Sequence, residues 1–407
     1  MGILNLDMER VFYFILLFIV SFCATWWIFK KVLKIAKMKN IVDLPDARKI
    51  QRVPVPLLGG VAVFFGMVVA FAVAGLLFDM SNMFTIICVM SIMLYLGIMD
   101  DIIGLSPGLR FLVEIFVVLL LVFCNDYSIN NLHGLWGVYE MSPWIAVPLT
   151  VFACVGIINA INLIDGVNGL CSGYCIVTCA VFGAVFIYAG DSERASLAIL
   201  SIGALIPFFC HNVFGTKSKM FIGDSGTLLM GVIMSSFVIN ALKSDSLLVA
   251  AVPSDFGVVP FTLAVLAIPV FDTLRVMTAR LLNGVSPFTP DRNHLHHLLY
   301  DLHFSHIGIT SVEILANLFI VACWYLSYRL GASIDLQLYV VIALGALITF
   351  AFNKFARIHE RKQTATYHKL TKVGDWTHVG HTAWFLKLRA FLDRNCDVQK
   401  EEFFNEK

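Results

Sequence analysis

Long apolar stretches, each close to the length of one membrane-crossing helix, alternate with short polar segments along most of the chain. A transmembrane helix needs about 20 consecutive, mostly apolar residues. Windows of this kind centre on residues 11–29, 57–78, 83–99, 111–124, 144–161, 174–189, 196–210, 221–242, 256–278, 307–328 and 337–353. The pattern predicts an all-α, polytopic membrane protein of about eleven transmembrane helices.

The first window, Val11 to Phe29, has the features of a retained membrane helix rather than of a cleavable signal peptide. It is long, it lacks a small-residue cleavage site, and its positive charges follow the apolar run instead of preceding it. We therefore expect it to form the first transmembrane helix.

Composition supports the same class of protein. Of the 407 residues, 59% are hydrophobic and 14% are charged, whereas soluble domains carry about 25% charged residues. The formal net charge of +1 gives no reason to expect a nucleic-acid partner. The ten cysteines are scattered and form no C-x-x-C pair, so we expect free thiols, with neither a disulfide nor a structural zinc site.

The positions of lysine and arginine predict the orientation of the chain. If the N-terminus lies outside, almost all basic residues fall in inner segments, and the outer side keeps only Arg10, Arg194, Lys243 and Arg329. This bias is the one that orients multi-pass proteins in the cell inner (plasma) membrane, with the C-terminus in the cytosol. We divide the chain into a transmembrane catalytic domain, residues 1–354, and a basic cytosolic tail, residues 355–407. The tail contains a short amphipathic helix from Trp384 onward, predicted to lie at the membrane surface.

Four polar clusters interrupt the apolar pattern, and all four fall in the predicted inner segments. Ionisable groups at the edge of a bilayer are costly and usually mark function. The clusters are Asp100-Asp101, the run NAINLIDGVN from Asn159 to Asn168, Gly223 to Gly226, and Asp291 to His297. We expect them to form one active site that faces the cytosol.

Two of the clusters carry acids at predicted helix ends. Asp100 and Asp101 are adjacent, so their carboxylates repel and need a proton or a cation to offset them. Asp224 opens the eighth window, where it could ligate a metal, with Gly223 and Gly226 leaving room for a bulky anion. The alternatives are an acidic helix end facing water for the first pair and a helix N-cap for Asp224.

In the run NAINLIDGVN, polar residues recur at every third position. On a helix, this spacing places Asn162, Asp165 and Asn168 on one slowly drifting stripe. Their oxygens suit hard cations, and the amides can donate to a phosphate or a ribose. Gly166 and Gly169 would let the backbone approach a ligand. A helix-capping loop is the alternative, although it would use only one or two of these groups.

The last cluster favours anion binding. Arg292 offers a planar fork to a phosphate, and His294, His296 and His297 add further donors. A zinc site and a solvated loop remain open as alternatives. We interpret His303 and His306 as ordinary loop residues. The pairs Arg110–Glu114 and Asp272–Arg275 have the spacing of structural ion pairs within a helix.

Acids for a magnesium ion, amides and glycines for a nucleotide, and arginine and histidine for phosphates together indicate phosphoryl transfer. Magnesium is usually held by one or two carboxylates plus substrate phosphates, which suits scattered aspartates better than a closed cage. Manganese is the alternative metal. Because the site borders lipid and opens inward, the acceptor expected is a membrane-held phosphate and the donor a cytosolic nucleotide.

The ordered motifs DD, NxxNxxDGxNGL, FxGDSGTLLxG and SPFTPDRNHLHHLL closely resemble those of the polyprenyl-phosphate N-acetylhexosamine-1-phosphate transferases, glycosyltransferase family 4. The resemblance runs from about Asp43 to Leu299, roughly two-thirds of the chain. Two details are similar to the N-acetylglucosamine branch rather than to the muramoyl-pentapeptide branch. Asn168 stands where the latter usually has aspartate, and Leu295 separates histidines that are consecutive there.

The resemblance implies an enzyme that transfers an N-acetylhexosamine 1-phosphate, in this branch N-acetylglucosamine 1-phosphate, from a UDP-sugar to polyprenyl (undecaprenyl) phosphate, with Mg²⁺, and releases UMP. It implies that Asp224 coordinates the metal and that Asp100 and Asp101 serve the metal or the lipid phosphate. Asn162 and Asp165 would line the centre of the site. Further implied contacts are Asn168 and Phe221 to the uridine, Arg292, His294, His296 and His297 to the donor's phosphates or sugar, and Asp46 and Lys49 in an N-terminal loop motif.

The chain departs from the family pattern at two positions. Gln51 replaces a histidine that many members have, and Gly104 replaces a third acid. For catalysis, Asp101 or Asp165 is the candidate to deprotonate or orient the lipid phosphate, and a covalent aspartyl route stays open. The alternative functions are an ion-coupled transporter, or another lipid-phosphate enzyme such as a phosphatase. A homodimer is compatible with the family, and the glycan pathway is expected to be one of cell-envelope synthesis.

Overall fold

The computed structural model describes residues 8–45, 50–125, 127–286, 289, 291–394 and 396, apart from the side chains of Asn82 and Asn125. Two short strands, β1 (Val42–Asp43) and β2 (Val55–Pro56), pair antiparallel. The helices are α1 (Met8–Met38), α2 (Gly59–Leu77), α3 (Phe84–Ile103), α4 (Pro107–Asn125), α5 (Pro143–Leu163), α6 (Leu170–Tyr188), α7 (Ser192–Phe214), α8 (Gly223–Leu242), α9 (Leu247–Ala251), α10 (Val258–Val265), α11 (Ala267–Leu282), α12 (Leu295–Asp301), α13 (His306–Arg329), α14 (Ile334–Ala346), α15 (Phe352–Arg361), α16 (Ala365–Trp376) and α17 (Ala383–Leu392).

The number and places of the membrane helices match the sequence prediction. Among the described residues, ten helices are long and apolar enough to cross a membrane, and a bent pair, α10 with α11, makes eleven. The last of them runs from α14 through a π-helical turn at Leu347–Ala351 into α15. The chain is therefore an all-α, multi-pass membrane protein, as predicted. All ten cysteines are free thiols in the structure.

Helix α8 forms the centre of the bundle. Its whole apolar window is buried inside the protein, whereas only 22% of the window of α1 is buried. Small residues make this possible, because they let neighbouring backbones approach closely in the absence of a hydrophobic driving force between helices. A side chain at Gly231 would meet the backbone of Ile158 in α5 at 2.7 Å. The N-terminal end of α8 is thereby fixed among the ends of its neighbours.

The window predicted at 256–278 is a broken helix rather than a straight one. Helices α10 and α11 meet at Leu266 with a bend of 75°. Pro269, in the first turn of α11, has no backbone N–H to donate back to Val265, and its ring disfavours a continuous helix. Backbone groups freed inside a membrane must find partners within the protein.

Asn317 of α13 supplies these partners. Its amide donates to the carbonyl of Val265 at 3.0 Å and accepts from the N–H of Ile268 at 3.0 Å. Tyr174 of α6 also donates to the Val265 carbonyl, at 2.8 Å. The backbone groups on both sides of the break, the carbonyl of Val265 and the N–H of Ile268, therefore have hydrogen-bond partners within the protein.

We expect Asn317→Ala to destabilise the protein by about 1–3 kcal/mol, because the buried N–H of Ile268 loses its acceptor. The measurement is the thermal unfolding midpoint in detergent. The matched control is Leu315→Ala on the exposed face of the same helix, where the side chain is 64% exposed. Equal midpoints for the two variants would show that Asn317 does not stabilise the break.

The C-terminal helices pack against the ends of the membrane helices. In α17, Phe385 packs against Phe214 with ring centroids 5.2 Å apart, and Phe391 packs against Trp26 at 5.9 Å. The lysines at the end of α1 reach the same region, since Lys37 donates to the carbonyl of Lys217 at 2.7 Å. The predicted boundary at residue 354 falls inside α15.

Candidate active site

One cavity of about 640 Å³ opens at the end of the bundle where the polar clusters lie. It is formed by the ends of α3, α5 and α7, the start of α8, and the loops around β2, before α6 and before α12. Its lining includes Asp43, Gln51, Arg52, Asp100, Asp101, Asn162, Asp165, Asn168, Asn212, Lys219, Phe221, Asp224, Asp291, His297 and His306. Residues from all four predicted polar clusters therefore meet at one place.

Asp101 links the end of α3 to the beginning of α8. Its carboxylate accepts from the backbone N–H groups of Asp224 at 2.8 Å and Ser225 at 3.2 Å. These N–H groups lack partners within the helix, and the positive end of the helix dipole favours a carboxylate there. Gly97, one turn before Asp101, allows this approach, because a Cβ would lie 2.4 Å from the backbone of Ser225.

The glycines of the motifs make room for protein groups, and Gly166 and Gly223 also line the cavity. A Cβ at Gly223 would meet the carboxylate of Asp101, and Gly223 has a φ of +70°. A Cβ at Gly226 would meet Ile222 at 2.2 Å, and one at Gly166 would meet the ring of His296 at 2.2 Å. These glycines are needed because separate segments touch there without space for a side chain.

Asp100, Asp101, Asp165 and Asp224 form the acidic wall of the cavity. Arg110 lies behind this wall and contacts three acidic residues rather than one. It pairs with Glu114 at 3.1 Å, as the spacing predicts. The same guanidinium also reaches Asp100 at 3.5 Å, Asp224 at 3.8 Å, and the side-chain oxygen of Asn162 at 2.8 Å. Asn162 in turn donates to Asp224 at 2.5 Å. Arg110 thus holds acids from three different helices around one positive charge.

Asp165 faces the cavity from the loop that follows α5. Burial among protein groups raises the pKa of this carboxyl well above its usual range, and the negative charges of Asp224, Asp101 and Asp43 raise it further. A cation bound nearby would lower the pKa again. Asp165 is therefore a group that can hold a proton or release one within the cavity.

The loop before α12 is organised by Asp272 of α11. This carboxylate pairs with Arg275 at 2.6 Å, as predicted, and also accepts from His294 Nδ1 at 2.9 Å and from the N–H of Leu295 at 3.2 Å. It therefore orients the ring of His294 and caps α12. The buried Nε2 of His294 has no hydrogen-bond partner among the described residues.

The predicted phosphate-binding residues take different positions. His297 lines the cavity, and burial together with the charge of Arg292 lowers its pKa to about 4, so its ring is neutral at neutral pH. His296 is buried against Gly166, and burial lowers its pKa well below the usual value. Arg292 pairs with Asp301 at 3.7 Å, and neither it nor His294 lines the cavity.

Sequence reasoning missed several residues of the cavity wall. His306, interpreted as a loop residue, lines the cavity, and its Nδ1 accepts from the N–H of Asn168 at 3.2 Å. Lys219, Asn212 and Arg52 also line it. Their signal in the sequence was weak, because each is a single polar residue outside any dense cluster. Asp46 and Lys49, predicted in the N-terminal loop motif, lie outside the described residues.

The oxygen-rich wall fits a hard divalent cation. The carboxylates of Asp100 and Asp224 lie 3.5 and 3.8 Å from the same nitrogen of Arg110, so two oxygen ligands of the kind that hard cations prefer lie side by side in this wall. In the part of the chain that the structure describes, no three His, Cys, Asp or Glu side chains are already grouped to hold a metal. Mg²⁺ needs only one or two carboxylates when substrate phosphates complete its coordination, and Mn²⁺ accepts the same oxygen ligands.

Fold and site together define an integral-membrane protein whose cavity joins an acidic wall to basic and amide groups at the ends of its helices. Comparison with known proteins identifies the family to which this protein belongs. Residues 83–242 match the family model "Glycosyl transferase family 4". That region contains the first three polar clusters, from Asp100 to Asp224.

Three relatives share this similarity over most of their length. A Bacillus subtilis (strain 168) protein named "Probable undecaprenyl-phosphate N-acetylglucosaminyl 1-phosphate transferase" is 29% identical over 366 residues, 87% of this chain and 98% of the relative. A protein of Escherichia coli O157:H7 named "Undecaprenyl-phosphate alpha-N-acetylglucosaminyl 1-phosphate transferase" is 30% identical to this chain. The match covers 65% of this chain and 71% of the relative. A Yersinia pestis protein of the same name is 29% identical to this chain, over 74% of this chain and 78% of the relative. The chain belongs to glycosyl transferase family 4 and is a glycosyl-1-phosphate transferase, which confirms the family predicted from the motifs.

Proposed function

We propose that this enzyme transfers N-acetylglucosamine 1-phosphate from UDP-N-acetylglucosamine to undecaprenyl phosphate in the inner membrane and releases UMP. The observation that carries the proposal is the single cavity in which Asp100, Asp101, Asp165 and Asp224 face basic and amide groups at the ends of the membrane helices. The names of the three relatives support the acceptor and the sugar. The bias of lysine and arginine supports a cavity that opens to the cytosol, with the C-terminus on that side.

In this proposal, an oxygen of the lipid phosphate attacks the β-phosphorus of the UDP-sugar. The new P–O bond forms as the bond from the β-phosphorus to the oxygen bridging the two phosphates breaks, and UMP leaves with that oxygen. The transfer needs positioning and charge stabilisation more than covalent chemistry by the protein. Asn168 and Phe221 would contact the uridine, and His297, as a neutral donor, would contact the donor's phosphates or sugar.

Asp100 and Asp224 would hold Mg²⁺, which supplies charge neutralisation at the phosphates when it is bound. Arg110 keeps these two carboxylates directed at one point. Asp101 fixes the start of α8, so Asp224 keeps its position. Asp165 would take the proton of the lipid phosphate or orient that phosphate for attack, since its carboxyl faces the cavity and holds a proton readily.

The test is an assay of the purified protein in detergent with undecaprenyl phosphate, Mg²⁺ and a panel of UDP-sugars, with UMP and the lipid product measured. We expect UMP and lipid-linked sugar in equal amounts, only when lipid phosphate and metal are both present, and best with UDP-N-acetylglucosamine. Release of UMP without lipid would indicate hydrolysis instead. Failure to release UMP from any UDP-sugar would contradict the proposal.

A further inference from the structure

The C-terminal segment, residues 365–394, touches the cavity wall at two places. One is the loop between α7 and α8, which carries Lys219 and Phe221. The other is the start of α13, which carries His306. Lys219 and His306, with Asn168 and Asn212 beside them, form one end of the cavity; we call Lys219 and His306 the Lys219–His306 corner. The segment itself lies outside residues 83–242, the part that the family model matches.

Asp393, just after α17, holds the first of these places. Its carboxylate accepts from the N–H of Thr216 at 3.1 Å, and from the N–H and the hydroxyl of Ser218 at 2.9 and 2.8 Å. Ser218 is completely buried and directly precedes Lys219. Several donors on one carboxylate, to which Lys217 adds its backbone N–H, fix the backbone of a loop that has no secondary structure of its own.

Other contacts hold Asp393 itself in place. Lys30, in α1, donates to the carbonyl of Arg394 at 2.9 Å. Arg389, in α17, donates to the carbonyl of Phe214 at 3.4 Å. Burial opposes ionisation of Asp393, but the donors of Ser218, Lys217 and Thr216 outweigh it and keep its pKa below the usual value. The carboxylate is therefore charged at neutral pH and bonds the loop strongly.

Thr377, just after α16, holds the second place. Its hydroxyl accepts from the N–H of Ser305 at 2.8 Å, and its carbonyl accepts from the Ser305 hydroxyl at 2.6 Å. Ser305 is the N-cap of α13, where its oxygen accepts from the N–H of Gly308 at 3.2 Å. His306 is the next residue, so the position of its ring depends on this cap.

The two places are also joined inside the cavity. Asn212 accepts from the N–H of Gly169 at 2.7 Å and donates to the carbonyl of Met220 at 2.8 Å. His306 accepts from the N–H of Asn168. A shift of either loop would therefore disturb the same end of the cavity, the one that contains Asn168 and Phe221.

We infer that residues 365–394 are a brace for the active site. In this brace, Asp393 and Thr377 are positioning residues that set the Lys219–His306 corner for the nucleotide end of the donor. The assignment of that end to the nucleotide rests on the proposed function. The bracing itself does not, because it concerns contacts between segments of this chain. Neither residue lines the cavity, so each acts through the loop that it holds.

The experiment compares Asp393→Ala with Lys387→Ala, which changes an exposed residue of α17. It also compares Thr377→Val with Thr377→Ser, which keeps the hydroxyl. Hydrogen–deuterium exchange is followed in peptides covering residues 215–221 and 303–308. We expect Asp393→Ala to speed exchange most in the first peptide and Thr377→Val most in the second. The two control variants should match the wild type.

Kinetics provide the second readout. We expect Asp393→Ala and Thr377→Val to raise KM for the UDP-sugar about 10-fold, because small displacements of binding groups weaken binding strongly. KM for undecaprenyl phosphate and kcat should stay within about twofold, since the acidic wall is untouched. Thr377→Ser should restore the wild-type KM.

Each outcome decides one question. Unchanged exchange at 215–221 in Asp393→Ala would overturn the brace. Faster exchange with an unchanged donor KM would overturn its role in donor binding, as would an equal rise in KM for both substrates. If the wild-type protein turned over no UDP-sugar, the proposed function would fail, and the exchange data alone would still support or overturn the brace.

Discussion

Asp224→Asn lowers kcat by roughly 10³-fold, the effect expected when a charged group that stabilises transferring phosphates is lost. The substitution keeps the size of the side chain and removes its negative charge. Asp224 and Asp100 converge on one nitrogen of Arg110. Without the charge at 224, a magnesium ion held as we propose would lose one of its ligands, and Arg110 would pair more strongly with Asp100. Turnover is measured as UMP release at saturating donor and lipid.

The control for this variant is Asp245→Asn, a mostly exposed aspartate that pairs with Lys243 just beyond the other end of α8. It should retain wild-type turnover. The concentration of Mg²⁺ that gives half-maximal rate should also rise in Asp224→Asn, because the carboxylate proposed as a metal ligand would be replaced by a weaker amide oxygen. Full activity of Asp224→Asn would end the assignment of this residue to the metal.

Asp165→Asn has two opposite effects, a loss of turnover and a gain of stability. We expect kcat to fall by about 10²–10⁴-fold, the usual contribution of a positioned acid or base. The substrate-free protein should unfold at a higher temperature at pH 8, because the neutral amide avoids the cost of a charge among Asp224, Asp101 and Asp43. Both quantities are measured on the same preparation.

The gain in stability depends on pH in a defined direction. The folded-state pKa of Asp165 is raised, whereas the unfolded chain has a value of about 3.9. In the wild type, the stabilisation linked to this group is present below about pH 4 and is lost as the pH rises through the folded-state pKa. The midpoint of Asp165→Asn should therefore exceed that of the wild type more at pH 8 than at pH 5.

An exposed aspartate serves as the comparison for this pH dependence. Asp255 lies in the loop before α10, and Asp255→Asn should shift the midpoint equally at both pH values. A lower midpoint for Asp165→Asn at pH 8 would show that the Asp165 charge is stabilised in the folded protein. Unchanged turnover would remove Asp165 from the catalytic step.

Much of the site could be predicted because its residues are concentrated in motifs. Three of the polar clusters lie at the end or the start of a long helix, and all four lie in segments rich in lysine and arginine. From these facts the sequence predicted that they would converge. The structure brings Asp100, Asp165, Asp224 and His297 to one cavity, and it buries His296 directly behind Gly166.

The glycines and His306 show where sequence reasoning reached its limit. A glycine beside an acid is equally compatible with a bound anion and with a neighbouring segment. Only the approach of α3 to α8 shows that Asp101 occupies the space beside Gly223. His306 stands alone in the sequence, and the contact with Asn168 that draws it to the cavity spans more than a hundred positions.

The sequence by itself determined the membrane class, the number of spans and the ends of the helices at which chemistry is concentrated. Hydrophobic length and charge bias are local properties, and they act on each segment separately. Only the tertiary structure decided that Arg110 gathers acids from separate helices, that Asp272 orients His294, and that Asp393 holds the loop of Lys219. These contacts join residues distant in the chain, and their geometry depends on how whole helices pack, which no local pattern encodes.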